Sequence, residues 1–185
     1  GSFLLAIVAG LAAAGIAGLL IEFLVIRKLY NRDHLQQVLA TFGLILFINE
    51  GATILFGRTP LFVSMPPFLA GSVEIIPGIP YPTYRIAIMV VGLLVAGGLY
   101  LLVNKARIGM LVRAGSTHCD MVRALGVDIR LLYTIVFGLG ALLAGLAGLM
   151  AGPLLAVQVG MGEQILILTF VVVVIGGLGS IRGAF

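Results

Sequence analysis

Tyr84-Arg-Ile-Ala-Ile-Met-Val-Val-Gly-Leu-Leu-Val-Ala-Gly-Gly-Leu-Tyr-Leu-Leu-Val103 decides the fold of this chain. Across these 20 residues the only charge is Arg85, one position from the start. An α-helix rises about 1.5 Å per residue, so about 20 apolar residues cross a hydrocarbon core of roughly 30 Å. Four more stretches of the same character lie outward from it, at about 3–26, 35–56, 131–151 and 164–181. The expected fold is all-α: a polytopic transmembrane helical bundle of about five spans, with residues 1–185 forming a single membrane domain.

Composition supports this reading. The chain is 61% hydrophobic and 10% charged, with a mean hydropathy of +1.23, whereas soluble domains carry about 25% charged residues. Seven acids and eleven bases are too few to cover a water-exposed globule of 185 residues, but enough to cap helices held in lipid. The 26 glycines agree, since glycine is commoner in membrane helices than in soluble ones. The net charge of +4 is not a nucleic-acid footprint, because the bases cluster beside apolar runs rather than along an aromatic-interleaved stripe. A single cysteine, Cys119, excludes an internal disulfide and any multi-cysteine metal site. His34 and His118 lie far apart on loop edges, so no metal or other cofactor is expected. The opening run lacks a charged leader, so no signal peptide is expected.

The bases set the orientation. Arg27, Lys28 and Arg32 follow the first stretch; Lys105, Arg107, Arg113, Arg123 and Arg130 lie between the third and fourth; Arg182 follows the fifth. Alternating spans place these nine on one side and Arg58 and Arg85 on the other, and the positive-inside rule makes the nine-base side cytoplasmic. On the opposite side, the loop 58–83 holds six of the seven prolines. Proline lacks an amide donor and disfavours helix before it, so this is an external loop. Ser72-Val-Glu-Ile-Ile76 followed by Pro77-Gly78 suits a small β-hairpin within it.

Small residues recur every fourth position in two spans, as Gly10, Ala14 and Gly18 and as Ala144, Gly148 and Gly152. Such rows let helix backbones approach closely in lipid, so both are expected to pack on other helices. Asn49 and Glu50 lie about two-thirds of the way along the second span. An intramembrane acid usually faces a cavity or a partner. Glu50 therefore either lines the path of a zwitterionic solute, meeting its ammonium group, or caps or pairs with a polar group on another helix, or reaches the outer interface. Gln158, Glu163 and Gln164 read as interfacial. The run Val171-Val-Val-Val-Ile-Gly-Gly-Leu-Gly-Ser-Ile-Arg-Gly183 imitates a dinucleotide-binding turn, but the helix and acid that motif requires do not follow. Gly176, Gly177, Gly179 and Gly183 instead suggest a broken helix at the membrane edge.

The segment 104–130 is too polar for the bilayer and too long for a tight turn. Thr117-His-Cys-Asp120 has the form of a capping box, and Gly126 stands where a left-handed helix stop is usual. Met121, Ala124 and Leu125 share one face of the short helix between them. A helix this short does not persist in water, where about 12–15 residues are already marginal. Its apolar face must dock, either on its own membrane domain or in a groove on a partner protein.

Arg113-Ala-Gly-Ser-Thr-His-Cys-Asp-Met-Val-Arg-Ala-Leu-Gly-Val-Asp128 resembles the cytoplasmic coupling loop of permeases in bacterial ABC importers for branched-chain amino acids. Their signature is an acid, two alanines, three further residues and a glycine; here Asp120 and Gly126 keep the spacing while Met121 and Val122 replace the alanines. Asp33 to Phe47 with Asn49-Glu50, and Gly176 to Ala184, are similar to the same permeases, and the likeness is strongest to the H-type subunit. The resemblance implies an ABC-importer permease bundle, an internal piece of a longer chain, in the bacterial inner membrane. It implies that Thr117, Asp120, Met121, Arg123, Leu125 and Gly126 couple the bundle to cytoplasmic ATPase subunits. A second permease subunit, an external solute-binding protein and a small-molecule solute are the other implied partners. Relatives of this kind carry leucine-like amino acids, other amino acids or urea-like amides. These 185 residues contain no Walker-type phosphate loop, so the chain is expected to be no enzyme itself, with ATP hydrolysed elsewhere. An intramembrane enzyme would need paired polar or metal-binding residues at matching depth, which the spans lack. An ATP-independent carrier or channel is opposed only by the short helix and the resemblance.

Overall fold

The computed structural model describes residues 2–30, 32–63, 71–76, 79–117, 119–124 and 126–176. Helix α1 (Ser2–Ile21) widens into a π-helical turn at Glu22–Ile26 and closes as the short α2 (Arg27–Leu29). Helix α3 (His34–Phe56) follows. Gln37 ties its first turn to the preceding segment, its Nε2 donating to the carbonyls of Leu29 at 3.1 Å and Arg32 at 3.0 Å. Gly57, at φ 79°, ends α3 in a left-handed conformation that favours glycine.

The Pro-rich connection contains the expected hairpin. Strand β1 (Ser72–Ile76) pairs antiparallel with β2 (Ile79–Pro82), with a register irregularity between Glu74 and Ile76. Helix α4 (Thr83–Lys105) follows, held at its start where Thr83 donates through both N–H and Oγ1 to the Gly71 carbonyl. The next segment is more helical than the sequence suggests. Helix α5 (Arg107–Thr117) and helix α6 (Cys119–Ala124) precede α7 (Ile129–Ala151), and α8 (Met161–Gly176) closes the described chain.

Among the described residues, four helical segments are long and apolar enough to cross a membrane: Leu5–Leu29, Leu35–Phe56, Thr83–Lys105 and Ile129–Ala151. The fifth expected span is shorter as described. The 16 residues of α8 rise only about 24 Å, short of the roughly 30 Å core. It starts at Met161 rather than near 164 and stays helical through Gly176. Gly177, Gly179 and Gly183 lie outside the described residues.

The tightest helix pair is α1 with α7. A methyl group added at Gly10 would stand 2.9 Å from Leu149 Cδ2, and one at Gly18 would overlap Ala141 Cβ. Conversely, a methyl at Gly145 would overlap Ala14 Cβ, and one at Gly138 would stand 3.1 Å from Leu19 Cδ2. The row Gly10, Ala14 and Gly18 thus lies at this seam. On α7 the seam uses Gly138, Ala141 and Gly145 rather than Ala144, Gly148 and Gly152. Ala144 and Gly148 instead line an apolar cleft of about 830 Å³ toward α8, and Gly152 lies near Val157. The two rows are about 60° apart around the helix at about 100° per residue, and both are rich in small residues.

At the Pro-rich end, the Tyr84 hydroxyl donates to the Met150 carbonyl at 2.9 Å from a side chain only 1% exposed. Met150 is next to last in α7, where carbonyls lack intrahelical partners. Leu61 and Val157 exchange two backbone hydrogen bonds of 2.9 Å, tying the Pro-rich segment to the α7–α8 connection.

Candidate functional site

At the end of α4 carrying the basic residues, the chain reverses at Ala106, whose extended backbone (ψ 149°) lets α5 fold back on α4. The reversal depends on Gly109: a side chain there would run into the Leu102 and Val103 backbone. Helix α5 then passes the start of α7, where a methyl at Gly115 would stand 3.4 Å from Leu132 Cδ2. Thr117 is the last residue of α5. The α5 helix, seated by Gly109, simply continues that far. His118, between the two helices, lies outside the described residues.

Helix α6 ends as the sequence suggests. Gly126 has φ 80° and donates its N–H to Arg123 O at 3.0 Å, while Val127 N–H reaches Val122 O at 3.4 Å. These two bonds make the Schellman stop, satisfying carbonyls that a helix end leaves open. A tight turn leads to Asp128, whose carboxylate caps α7 by accepting from the N–H of Arg130 at 2.9 Å and of Leu131 at 3.4 Å. Helix α6 is therefore held at a fixed place on the start of α7.

Its faces are divided. Val122 is 5% exposed and is buried with Ile129 and Leu132 where α6 meets α7, whereas Met121 is 66% exposed. The inward anchor is Val122, not the face of Met121, Ala124 and Leu125. Ala124 is exposed like Met121, and Leu125 lies outside the described residues. Asp120 is the second residue of α6. Arg123 is exposed and borders a cavity of about 290 Å³ shared with Arg27, Tyr30, Arg130 and Tyr133.

Beside that cavity lies Glu22, an acid the sequence reading passed over. It opens the π-turn, is 1% exposed, and its Oε2 has no partner, while Tyr30 Oη–H donates to Oε1 at 3.4 Å. Burial, followed by the charge and hydrogen bond of Glu22, pushes the Tyr30 hydroxyl up to about 12, so it remains a donor through the neutral range. Tyr30 also leans on Tyr133 of α7, with ring centroids 4.9 Å apart. A signal for Glu22 exists in the sequence: it falls four residues after Gly18, the next member of the row Gly10, Ala14, Gly18.

Toward the opposite end, Asn49 Nδ2 donates to Glu163 Oε1 at 2.6 Å, joining α3 to the first turn of α8. Glu163, expected at the interface, thus meets one of the two residues considered for a solute path. Glu50 is exposed on the surface of α3 and is not brought to that contact.

Helices long and apolar enough to cross a membrane, four of them among the described residues, describe a multi-pass membrane protein. The profile of the family described as "Branched-chain amino acid transport system / permease component" matches residues 1–185. The chain belongs to this family of branched-chain amino acid transport permease components. It is 27% identical over 186 residues to the high-affinity branched-chain amino acid transport system permease protein BraD of Pseudomonas aeruginosa, covering 98% of this chain and 60% of that protein. It is 31% identical over 87 residues to the probable branched-chain amino acid transport permease protein LivH of Methanocaldococcus jannaschii, covering 47% of this chain and 28% of that one. The chain therefore spans less than two-thirds of the length of either relative. No solved structure matches it.

Proposed function

We propose that this chain is part of the permease of an ATP-driven importer that carries branched-chain or similar hydrophobic amino acids across the bacterial inner membrane. The family, and the names of the two relatives, favour this over a urea or amide permease and over an ATP-independent carrier. The observation that carries the mechanism is the divided surface of α6: Val122 is buried on α7 while Met121, one residue before it, is open. A helix fixed on one side and exposed on the other is suited to pass a push from a partner into α5 and α7. The partner would be an ATPase subunit on the nine-base, cytoplasmic side, because no phosphate loop occurs in these residues. A second permease subunit and an external solute-binding protein complete the assembly in this reading. Alternating access is then a shift between two helix packings that ATP binding favours unequally.

Replacing Met121 with Asp in the full-length protein tests the coupling. The expected result is loss of ATPase co-purification and of leucine uptake with the permease still in the membrane. Intact co-purification with unchanged uptake would end the coupling assignment. Asn49 and Glu50 are proposed to border the solute path, with Glu50 meeting the solute ammonium group. Glu50→Gln should then raise the uptake KM several-fold; unaltered kinetics would remove Glu50 from the path.

A further inference from the structure

We propose that the cleft between α2, α6 and α7 binds one anionic phospholipid, its phosphate held by Arg27, Arg123 and Arg130 and one acyl chain lying along α1. The cleft, of about 290 Å³, is lined by these three arginines together with Tyr30 and Tyr133, and the Arg27 guanidinium stands over the Phe23 ring, 5.4 Å from its centroid. Asp128, the one acid among the cleft's described lining residues, already uses its Oδ1 to cap α7. No ion pair among the described residues neutralises Arg123 or Arg130. Guanidinium groups offer the planar, forked donors that phosphate oxygens accept.

The position of the cleft selects a lipid over a soluble anion. The first span ends at Leu29 and the span of α7 begins at Ile129, so the arginines lie at the level of the headgroups. A second cavity, of about 470 Å³, shares Arg27, Asp128 and Arg130 with the cleft, is lined also by the buried Glu22 and by Thr134, and continues as a mainly apolar groove past Phe23, Leu20, Leu19 and Ile16. From Arg27 to Ile16 is about 16 Å at about 1.5 Å per residue, close to the roughly 15 Å depth of one leaflet. Neither a free phosphate nor a protein carboxylate has a use for that groove. Because the arginines come from α2, α6 and α7, the bound lipid fastens the short helix to the α1–α7 pair. This assignment does not depend on which solute is carried.

The test uses the full-length protein purified in neutral detergent and titrated by native mass spectrometry with short-chain phosphatidylglycerol, phosphatidylcholine and inorganic phosphate. Phosphatidylglycerol should bind best, and the double variant Arg123→Ala/Arg130→Ala should weaken it by roughly thirtyfold, at about fivefold per basic residue. Leu20→Trp, at a position 53% exposed, keeps every arginine but fills the groove. It should weaken phosphatidylglycerol by about tenfold, the effect of excluding one or two methylenes. Equal binding of phosphatidylcholine, displacement by inorganic phosphate at matching concentration, or unchanged affinity in either variant would each overturn the proposal.

Discussion

Glu22 is buried because it falls on the row that faces α7. Gly10, Ala14 and Gly18 keep that row close to the partner helix, and four residues later the same direction carries a carboxyl group into the seam. Burying such a group is unfavourable unless hydrogen bonds compensate. Here the Tyr30 hydroxyl serves one oxygen while Oε2 has no partner. π-Helical turns are uncommon and tend to occur at functional sites, and this one begins at Glu22. Tyr30→Phe removes the donor and should destabilise the protein by about 1–3 kcal/mol, the range for losing a hydrogen bond to a buried polar or charged group. Glu22→Gln in the same background should recover part of that loss, because a neutral amide is less unfavourable to bury. Thermal unfolding of the four-member cycle in detergent reads the coupling. Additive single effects would show that the 3.4 Å contact is energetically idle.

At the scale of elements, two glycines frame the segment on the basic side. Gly109 lies where any side chain would meet backbone of α4, and backbone cannot rotate away. Gly109→Ala should therefore cost about 1–3 kcal/mol through overpacking and displace α5 from α4. Gly126 has open space around it and is constrained only by its φ of 80°. Gly126→Ala should cost about 1–2 kcal/mol, and Gly126→Asn less, since asparagine tolerates that conformation better. Thermal unfolding of the three variants checks the order; if alanine at 126 matched wild type, the α6 stop would not be strained. The same segment shows what the sequence makes legible. Spans, hairpin and the Gly126 stop follow from local rules about length, proline and chirality, so they could be read in order along the chain. The course of 107–117 could not, because its helix is seated by a contact between Gly109 and carbonyls up to seven residues earlier. Nor could the choice between Met121 and Val122 as the inward residue. Both are apolar neighbours, and which one is buried depends on where α7 begins. Of the polar pairs, Asn49 and Glu163 are 114 residues apart, and local spacing carries no information about such a meeting.

At the scale of the whole molecule, the four segments able to cross a membrane bury almost none of their residues against one another apart from the α1–α7 seam. Leu35, Phe47, Ile54, Leu93 and Ile167 are all more than half exposed. In water this surface would aggregate; in a bilayer it needs only lipid or further helices, and lipid adds no hydrophobic drive for the helices to close. The arrangement therefore relies on orientation as much as on packing: most of the bases sit on one end and the proline-rich hairpin, flanked by only Arg58 and Arg85, on the other. Cys119, in α6, and Ser72, at the start of β1, mark the two ends. A membrane-impermeant maleimide should label Cys119 in inside-out vesicles and fail to label it in right-side-out ones, with mass spectrometry identifying the modified peptide. A Ser72→Cys variant should label at position 72 with the opposite preference. The two reporters must disagree for the nine-base side to face the cytoplasm. If Cys119 reacted from outside, α6 would stand on the face that contains no ATP, and its exposed methionine would have no motor subunit to meet.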